Sequence, residues 1–277
     1  MSRPRTSWED LSNLGWPIQQ VYNRANAERG YTMQGLGDIF LNSGIALDYQ
    51  WYCYNVLKGE PYVKGQAVNS ISQETTVWSY DNLQNSQDFT TNWGETWTET
   101  NTATLSITNS AHISLSQSIT IPGVGGSEFS ISISTESTQS ETRERSYQVS
   151  NTWDITIGPH EKVSIVRELT TTTGVAEYGQ RYGVDGRIGS MYTISSKGDR
   201  YNDHYYWGMD VNWLLNNPSG EMTLNGIYRS TSYHHKIIRE GPNGKRTVEP
   251  LPDPSVVTEI IGDNERKEIR YMVYGDE

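Results

Sequence analysis

The side chains able to do acid–base, nucleophilic or metal chemistry are few and do not fall into sets. The chain has five His and one Cys in 277 residues. His234 and His235 are adjacent, so on a strand they face opposite sides and cannot share a metal. His204 beside Asp203 reads most simply as a surface pair in an aromatic loop, and His112 and His160 stand apart from other ligand types. The single Cys53 excludes an internal disulfide framework and a Cys-based zinc site. No G-x-S-x-G elbow, P-loop or Rossmann glycine pattern occurs. The sequence predicts no enzyme, no metal and no cofactor. The chemistry it does carry is partition between apolar and aqueous surroundings, written residue by residue along 103–135.

In that stretch the odd positions are bulky and apolar: Ala111, Ile113, Leu115, Ile119 and Ile121 before a Pro122-Gly123-Val124-Gly125-Gly126 cluster, then Phe129, Ile131 and Ile133 after it. The even positions are small and polar: Ser110, His112, Ser114, Ser116 and Ser118, then Ser130, Ser132 and Ser134. Strict period-2 alternation predicts a β-strand with one apolar and one polar face, and the Pro/Gly cluster predicts a hairpin tip that carries Val124. Residues 100–135 contain no Lys, Arg or Asp, and the one carboxylate is Glu128. An ordinary solvated sheet face is charged; this one is hydroxylated.

About 11 residues of alternation flank the tip on each side, close to the roughly 9–11 that a tilted membrane-crossing strand needs. On this reading the odd residues, with Val124, face lipid and the even ones line water. Sinking about eight apolar side chains gains on the order of 10 kcal/mol. A lone hairpin leaves about ten backbone groups unpaired, at several kcal/mol each, which outweighs the gain. Hairpins from several identical chains must therefore close a barrel before any of them crosses.

The elements that would position this hairpin are mostly strands. Ser, Thr, Asn and Tyr dominate, and Trp and Tyr together number 27. An unbroken strand over 87–121 would measure roughly 100 Å, so it bends or the molecule is a rod. Residues 1–30 hold the best helix candidate, capped near Ser7, and 36–47 a weaker one. Residues 46–63 crowd aromatics together, and a second aromatic segment with many glycines follows Gly174 and suggests short strands and loops. Tyr49, Trp51, Tyr52, Tyr54, Tyr205, Tyr206, Trp207 and Trp213 are candidates for binding a sugar or a lipid headgroup, beside the simpler reading of a packed aromatic core.

A formal net charge of −11 and a pI near 5.0 exclude a phosphate-backbone partner. The N-terminus lacks the apolar core of a signal peptide, and no window approaches 18 consecutive apolar residues.

Three passages together resemble the aerolysin-like β-pore-forming toxins, most closely the epsilon-toxin/Mtx2 branch. They are Asn82-Leu83-Gln84-Asn85-Ser86-Gln87-Asp88-Phe89, the Ser/Thr-rich legs, and Ile155-Thr156-Ile157-Gly158-Pro159-His160-Glu161-Lys162-Val163. The resemblance implies a mainly β, elongated aerolysin-type fold of long twisted antiparallel strands with a small α+β aromatic-rich head domain. It implies a head built from 1–67 and 176–235, a pore-forming β domain over 68–175 with an insertion hairpin at 102–138, and C-terminal strands over 236–277 that include a possible propeptide. It further implies a secreted monomer, a glycan, GPI-anchored protein or lipid as receptor on a target-cell membrane, a homo-oligomeric pore, and proteolytic activation. Candidate cuts are Arg24, Arg29, Lys245-Arg246 and Arg266-Lys267. The competing expectation is a carbohydrate-binding lectin or adhesin without pore activity, which explains the aromatics but not an uncharged two-faced hairpin.

Overall fold

The computed structural model describes residues 3–128, 130–136, 140–192, 199–201, 204–252, 254, 257–261 and 265–269. In chain order the elements are α1 (Trp8–Asn13), α2 (Ile18–Glu28), β1 (Ile39–Phe40), α3 (Ile45–Asp48), β2 (Cys53–Asp81), β3 (Phe89–Asn109), β4 (Ser118–Ile121), β5 (Ile131–Ser134) and β6 (Ser140–Ile157). There follow β7 (Lys162–Tyr192), β8 (Asp199–Tyr201), β9 (His204–Asp210), α4 (Val211–Leu214), β10 (Ser219–Glu240), β11 (Arg246–Pro250), β12 (Val257–Ile261) and β13 (Glu265–Ile269). The fold is mainly β, as the sequence predicts, and its strands are long. At 31 residues β7 spans roughly 100 Å and forms the axis of the molecule.

At mid-height the described residues form a sheet of five antiparallel strands. One row crosses it through Val68 on β2, Gly174 on β7, Tyr228 on β10, Ala103 on β3 and Arg143 on β6. Below this waist β3 parts from β10. Their two sheets then pack face to face around Trp97, Val149, Trp153, Ile155, Val163, Ile165 and Ile237. The C-terminal chain crosses from one sheet to the other, with β11 on β10 and β12 on β6. On the way Pro252 O accepts the Trp153 indole N–H at 3.1 Å. At the far end two of the passages that carry the family resemblance meet. Asn82 Nδ2 donates to Gln87 O and Gly158 O, both at 2.9 Å, and His160 N donates to Asn85 O at 3.0 Å.

Above the waist lies the head. Ser7 caps α1 reciprocally: its Oγ accepts from Asp10 N at 3.1 Å, and Asp10 Oδ2 accepts from Ser7 N at 2.8 Å. Leu11 from α1 and Val21 and Ala25 from α2 pack on Cys53, Val184, Ile188, Met209 and Leu214. Burial pushes the Cys53 thiol up to about 12, so it is unreactive in the folded chain.

Three sequence expectations are corrected. The strand over 87–121 breaks after Asn109, and 110–117 is not strand. Residues 36–47 make one 3-10 turn (Leu36–Asp38), β1 and α3 rather than a helix, because Gly37 and Gly44 interrupt the run and Gly44 adopts φ +50°. The segment after Gly174 is one long strand as far as Tyr192, where β7 runs unbroken as β2 does through residues 67–68, and the expected short strands, β8 and β9, come only beyond it. Two of its glycines are seats for rings, with Tyr62 lying over Gly179 and Trp51 over Gly189.

Candidate functional site

The hairpin does not extend from β3 and β6. It doubles back and lies against the sheet as a separate two-stranded ladder of β4 and β5, with Ile121 opposite Ile131 and Ile119 opposite Ile133. Its apolar face is the buried one. Ile113, Leu115, Ile119, Ile121, Val124, Ile131 and Ile133 are all at most 6% exposed. They pack on Ala103, Leu105, Ala176, Tyr178, Tyr182, Met222 and Leu224 of β3, β7 and β10. Ala111 is half-buried beside them, and Phe129 lies outside the described residues. On the even face Ser110, His112, Ser114, Ser118, Ser130 and Ser132 are exposed, with Ser116 and Ser134 half-buried. Hydroxyls pair across the strands, Thr120 with Ser132 at 2.7 Å here and Thr104 with Thr142 at 3.0 Å in the stem formed by β3 and β6. Seven buried side chains at about 1.5–3 kcal/mol each hold the docked hairpin with roughly 10–20 kcal/mol of gross burial, before ordering entropy is subtracted.

The tip sits in a socket. Gly125 and Gly126 adopt φ +60° and +99°, and Ser127 closes the turn by donating its N–H to Val124 O at 3.0 Å. Tyr178 OH donates to Gly123 O at 3.1 Å and accepts from Gly125 N at 3.2 Å. A Cβ on Gly174 would overlap the Gly125 carbonyl oxygen, and a Cβ on Gly226 would lie 2.5 Å from Val124 Cγ1. Glycine at these two strand positions is what lets the tip come so close.

The first leg is tied to the head as well. Asn13 Nδ2 donates to His112 O at 2.8 Å and Tyr182 OH accepts from His112 N at 3.2 Å. Asn55 Nδ2 donates to Ser114 O at 2.9 Å and to Asp10 Oδ2 at 3.1 Å, and Leu57 N donates to Gln117 Oε1 at 2.6 Å. On the second leg Arg143 Nη1 donates to Ser130 O at 2.9 Å.

The aromatic candidates do not form one surface. Tyr49 stacks on Trp51 with centroids 4.5 Å apart, and Tyr206 tilts against Tyr49 at 5.5 Å. Tyr52 and Tyr54 lie 6.0 Å apart at the start of β2, with the Arg5 guanidinium 4.5 Å from the Tyr52 ring. Trp207 and Trp213 form a third group at 6.0 Å, and the Trp213 side is open, at 51% exposed. Alternation along β9 separates these groups: Tyr206 and Gly208 face Trp51, while Tyr205 and Trp207 point the other way.

The Arg29 cut site is corrected. Arg29 is 2% exposed, with Nη1 donating to Ser190 Oγ at 3.0 Å and Nη2 to Tyr205 O at 2.9 Å. Burial lowers its pKa, against the pull of Asp38. Arg24 lies inside α2 and pairs with Glu28 at 3.3 Å. A cut at either residue would detach Leu11 and Val21 from the head core. Lys245-Arg246 instead sits at an exposed turn between β10 and β11.

Sequence reasoning missed Gly174, Gly226, Tyr178 and Tyr182 as the wall that receives the hairpin, and Asn13 and Asn55 as its ties. A lone glycine such as Gly174, set between a Thr run and Val175, is the signal that marks close backbone approach.

No family model matches the chain, and no curated protein matches its sequence. Among solved structures it is similar to the parasporin-2 Bacillus thuringiensis toxin that recognizes cancer cells, with 21% identity over 91% of this chain and 98% of that one and a TM-score of 0.48. It is similar to the Mpp75Aa1.1 beta-pore-forming protein from Brevibacillus laterosporus, with 14% identity over 95% and 97% of the two chains and a TM-score of 0.44. It is also similar to an aerolysin-like protein of Bombina maxima, with 11% identity over 72% and 99% of the chains and a TM-score of 0.30. Each likeness is one of fold.

Proposed function

We propose that the chain is a pore-forming cytolysin. It is secreted, binds a target-cell surface through its aromatic head, assembles as a homo-oligomer, and releases the hairpin at 102–138 into a shared transmembrane β-barrel. The head (1–67 and 176–235) and the β domain share β2 and β7, so surface binding and hairpin release act on the same strands. The observation that carries this reading is the docked hairpin. Its apolar face is buried on the chain's own sheet, its hydroxyl face is out, and it is a ladder separate from the stem. A segment that must trade one apolar contact for another, and water for water, needs that distribution and few charges, and residues 102–138 hold only Glu128 and Glu136. Leaving costs the burial energy, and lipid returns it once neighbouring hairpins close the edges.

The reading is tested by dye release from phosphatidylcholine–cholesterol–sphingomyelin vesicles and from several cultured cell types, before and after limited trypsin. An SDS-resistant oligomer is sought on gels. Release together with an oligomer is the expected result; neither under any of these conditions overturns the reading.

A further inference from the structure

Two ladders run along one hairpin, and their registers disagree. In the stem, β3 and β6 pair Ser106 with Ser140 and continue in step to Phe89 with Ile157. In the docked hairpin, Ser118 pairs with Ser134 and Ile121 with Ile131, and Thr135 N donates to Gln117 O at 3.2 Å in the same step. Eleven residues separate Ser106 from Ser118, and five separate Ser134 from Ser140. The first leg is therefore six residues longer than the second, and no single continuous ladder holds both registers. The surplus has a place in the folded chain. It is part of the non-strand segment 110–117, which Asn13, Asn55, Leu57 and Tyr182 tie to the head.

We propose that on leaving the body the hairpin slides by six residues into the register of the stem. Ile131 then exchanges Ile121 for Leu115, and Ile133 exchanges Ile119 for Ile113. The inference rests on the pore-forming reading above, and three observations select the slide over its alternatives.

Strand length decides which ladder yields. β4 and β5 are four residues each, whereas β6 pairs along all 18 of its residues, so the short ladder re-forms and the long one stays. Reach decides next. In the stem register residues 111–121 and 125–135 face each other, 11 on each side, enough for a strand that needs roughly 9–11. The docked register leaves about seven on each side before the surplus begins, too few by the same measure. The apolar face decides last. In the docked register Gln117 stands opposite Thr135, a wholly polar row on the side meant for lipid. In the stem register Gln117 stands opposite Phe129, and each neighbouring row keeps at least one Ile or Leu. Six is an even number, so every residue keeps its face. The new turn has Pro122, Gly123 and Val124 between Ile121 and Gly125, a loop length that hairpins use readily. Gly125 must leave Gly174 for this to happen, so the tip socket opens first.

Paired cysteines in the full chain read the register directly: Ile121→Cys with Ile131→Cys, and Leu115→Cys with Ile131→Cys. In solution the first pair is expected to cross-link and the second not to, which also verifies that the variants fold. In the SDS-resistant oligomer on phosphatidylcholine–cholesterol–sphingomyelin vesicles or cultured cells the preference is expected to reverse. Forming the 121–131 disulfide beforehand is expected to cut dye release at least tenfold, with reduction restoring it. An oligomer that leaks while it keeps the 121–131 link, or that never forms the 115–131 link, overturns the slide and leaves the pore intact as a reading. No oligomer and no leakage from the unmodified chain removes both.

Discussion

A covalent stitch between the tip and its socket is the cleanest perturbation of this molecule. Val124→Cys with Gly226→Cys places the two sulfurs at the tightest side-chain contact of the tip, where Val124 Cγ1 lies 2.5 Å from a Cβ built on Gly226. That puts the two Cβ atoms within about 4 Å, inside the range a disulfide accepts. Cys53 does not compete, because it is buried and its thiol is pushed up to about 12. In the unstitched chain the tip is held by the burial of Val124, about 1.5–3 kcal/mol, and by two Tyr178 hydrogen bonds at about 0.5–1.5 kcal/mol each. At about 1.4 kcal/mol per decade, these terms leave the tip out of its socket in roughly one chain in a hundred to one in ten thousand. The disulfide removes that minority altogether. Vesicle dye release by the oxidised double variant is expected to fall to background and to return on reduction, while each single variant still releases dye. Oxidised protein that permeabilises vesicles at the reduced rate would show that the hairpin is not the moving part. An aspartate at Ile121 would be a poorer test, because Ile121 is 2% exposed and the charge would disturb the docked fold as well.

His235 is enclosed by Trp93, Trp97 and Trp153, with Nε2 2.9 Å from Glu95 Oε2, and Arg167 also reaches Glu95. Burial lowers its pKa from 6.5, more than Glu95 raises it, so its contribution to stability is whole above about pH 6.5 and is lost as pH falls through the lowered folded value. Thermal unfolding is therefore expected at lower temperature below pH 6.5, and His235→Gln should flatten that dependence; an unchanged slope would assign it to other groups. Ser132→Lys lies on the exposed face and gives up one hydroxyl pair with Thr120, so folding should change by less than about 1 kcal/mol. Planar-bilayer currents should shift toward anions, and identical selectivity would mean that the even face does not line the lumen. Limited trypsin followed by mass spectrometry is expected to cut first at Lys245-Arg246 in its exposed turn, whereas a first cut at Arg29 would contradict its burial.

The hairpin was legible because its information is local. Parity assigns Ile119 and Ile121 to one face and Ser118 and Thr120 to the other without any partner in view, and burial follows that division. The place where the hairpin rests was not legible, because the wall comes from Tyr178, Met222 and Leu224, far along the chain. The length of β7 was hidden for a different reason. Its glycines look like breaks, and Gly179 and Gly189 serve as seats only once Tyr62 and Trp51 arrive from β2 and the turn before it. Composition likewise gathered Tyr205, Tyr206 and Trp207 into one binding cluster, while alternation along β9 sends them to opposite sides. The register mismatch cannot be read from sequence, since either ladder alone is consistent with the pattern of residues.

Among the described residues the waist holds an odd number of antiparallel strands, and the parity has a consequence for polarity. Its outer strands, β2 and β6, run in the same direction. Two copies standing side by side with their heads at the same end could therefore join these edges only as a parallel ladder, with evenly spaced, slanted hydrogen bonds. An antiparallel ladder between the same two edges requires one copy to be inverted, with the heads at opposite ends. The count of strands alone thus ties the kind of ladder to the orientation of the neighbour, and it does so at the height where the tip of the hairpin is held.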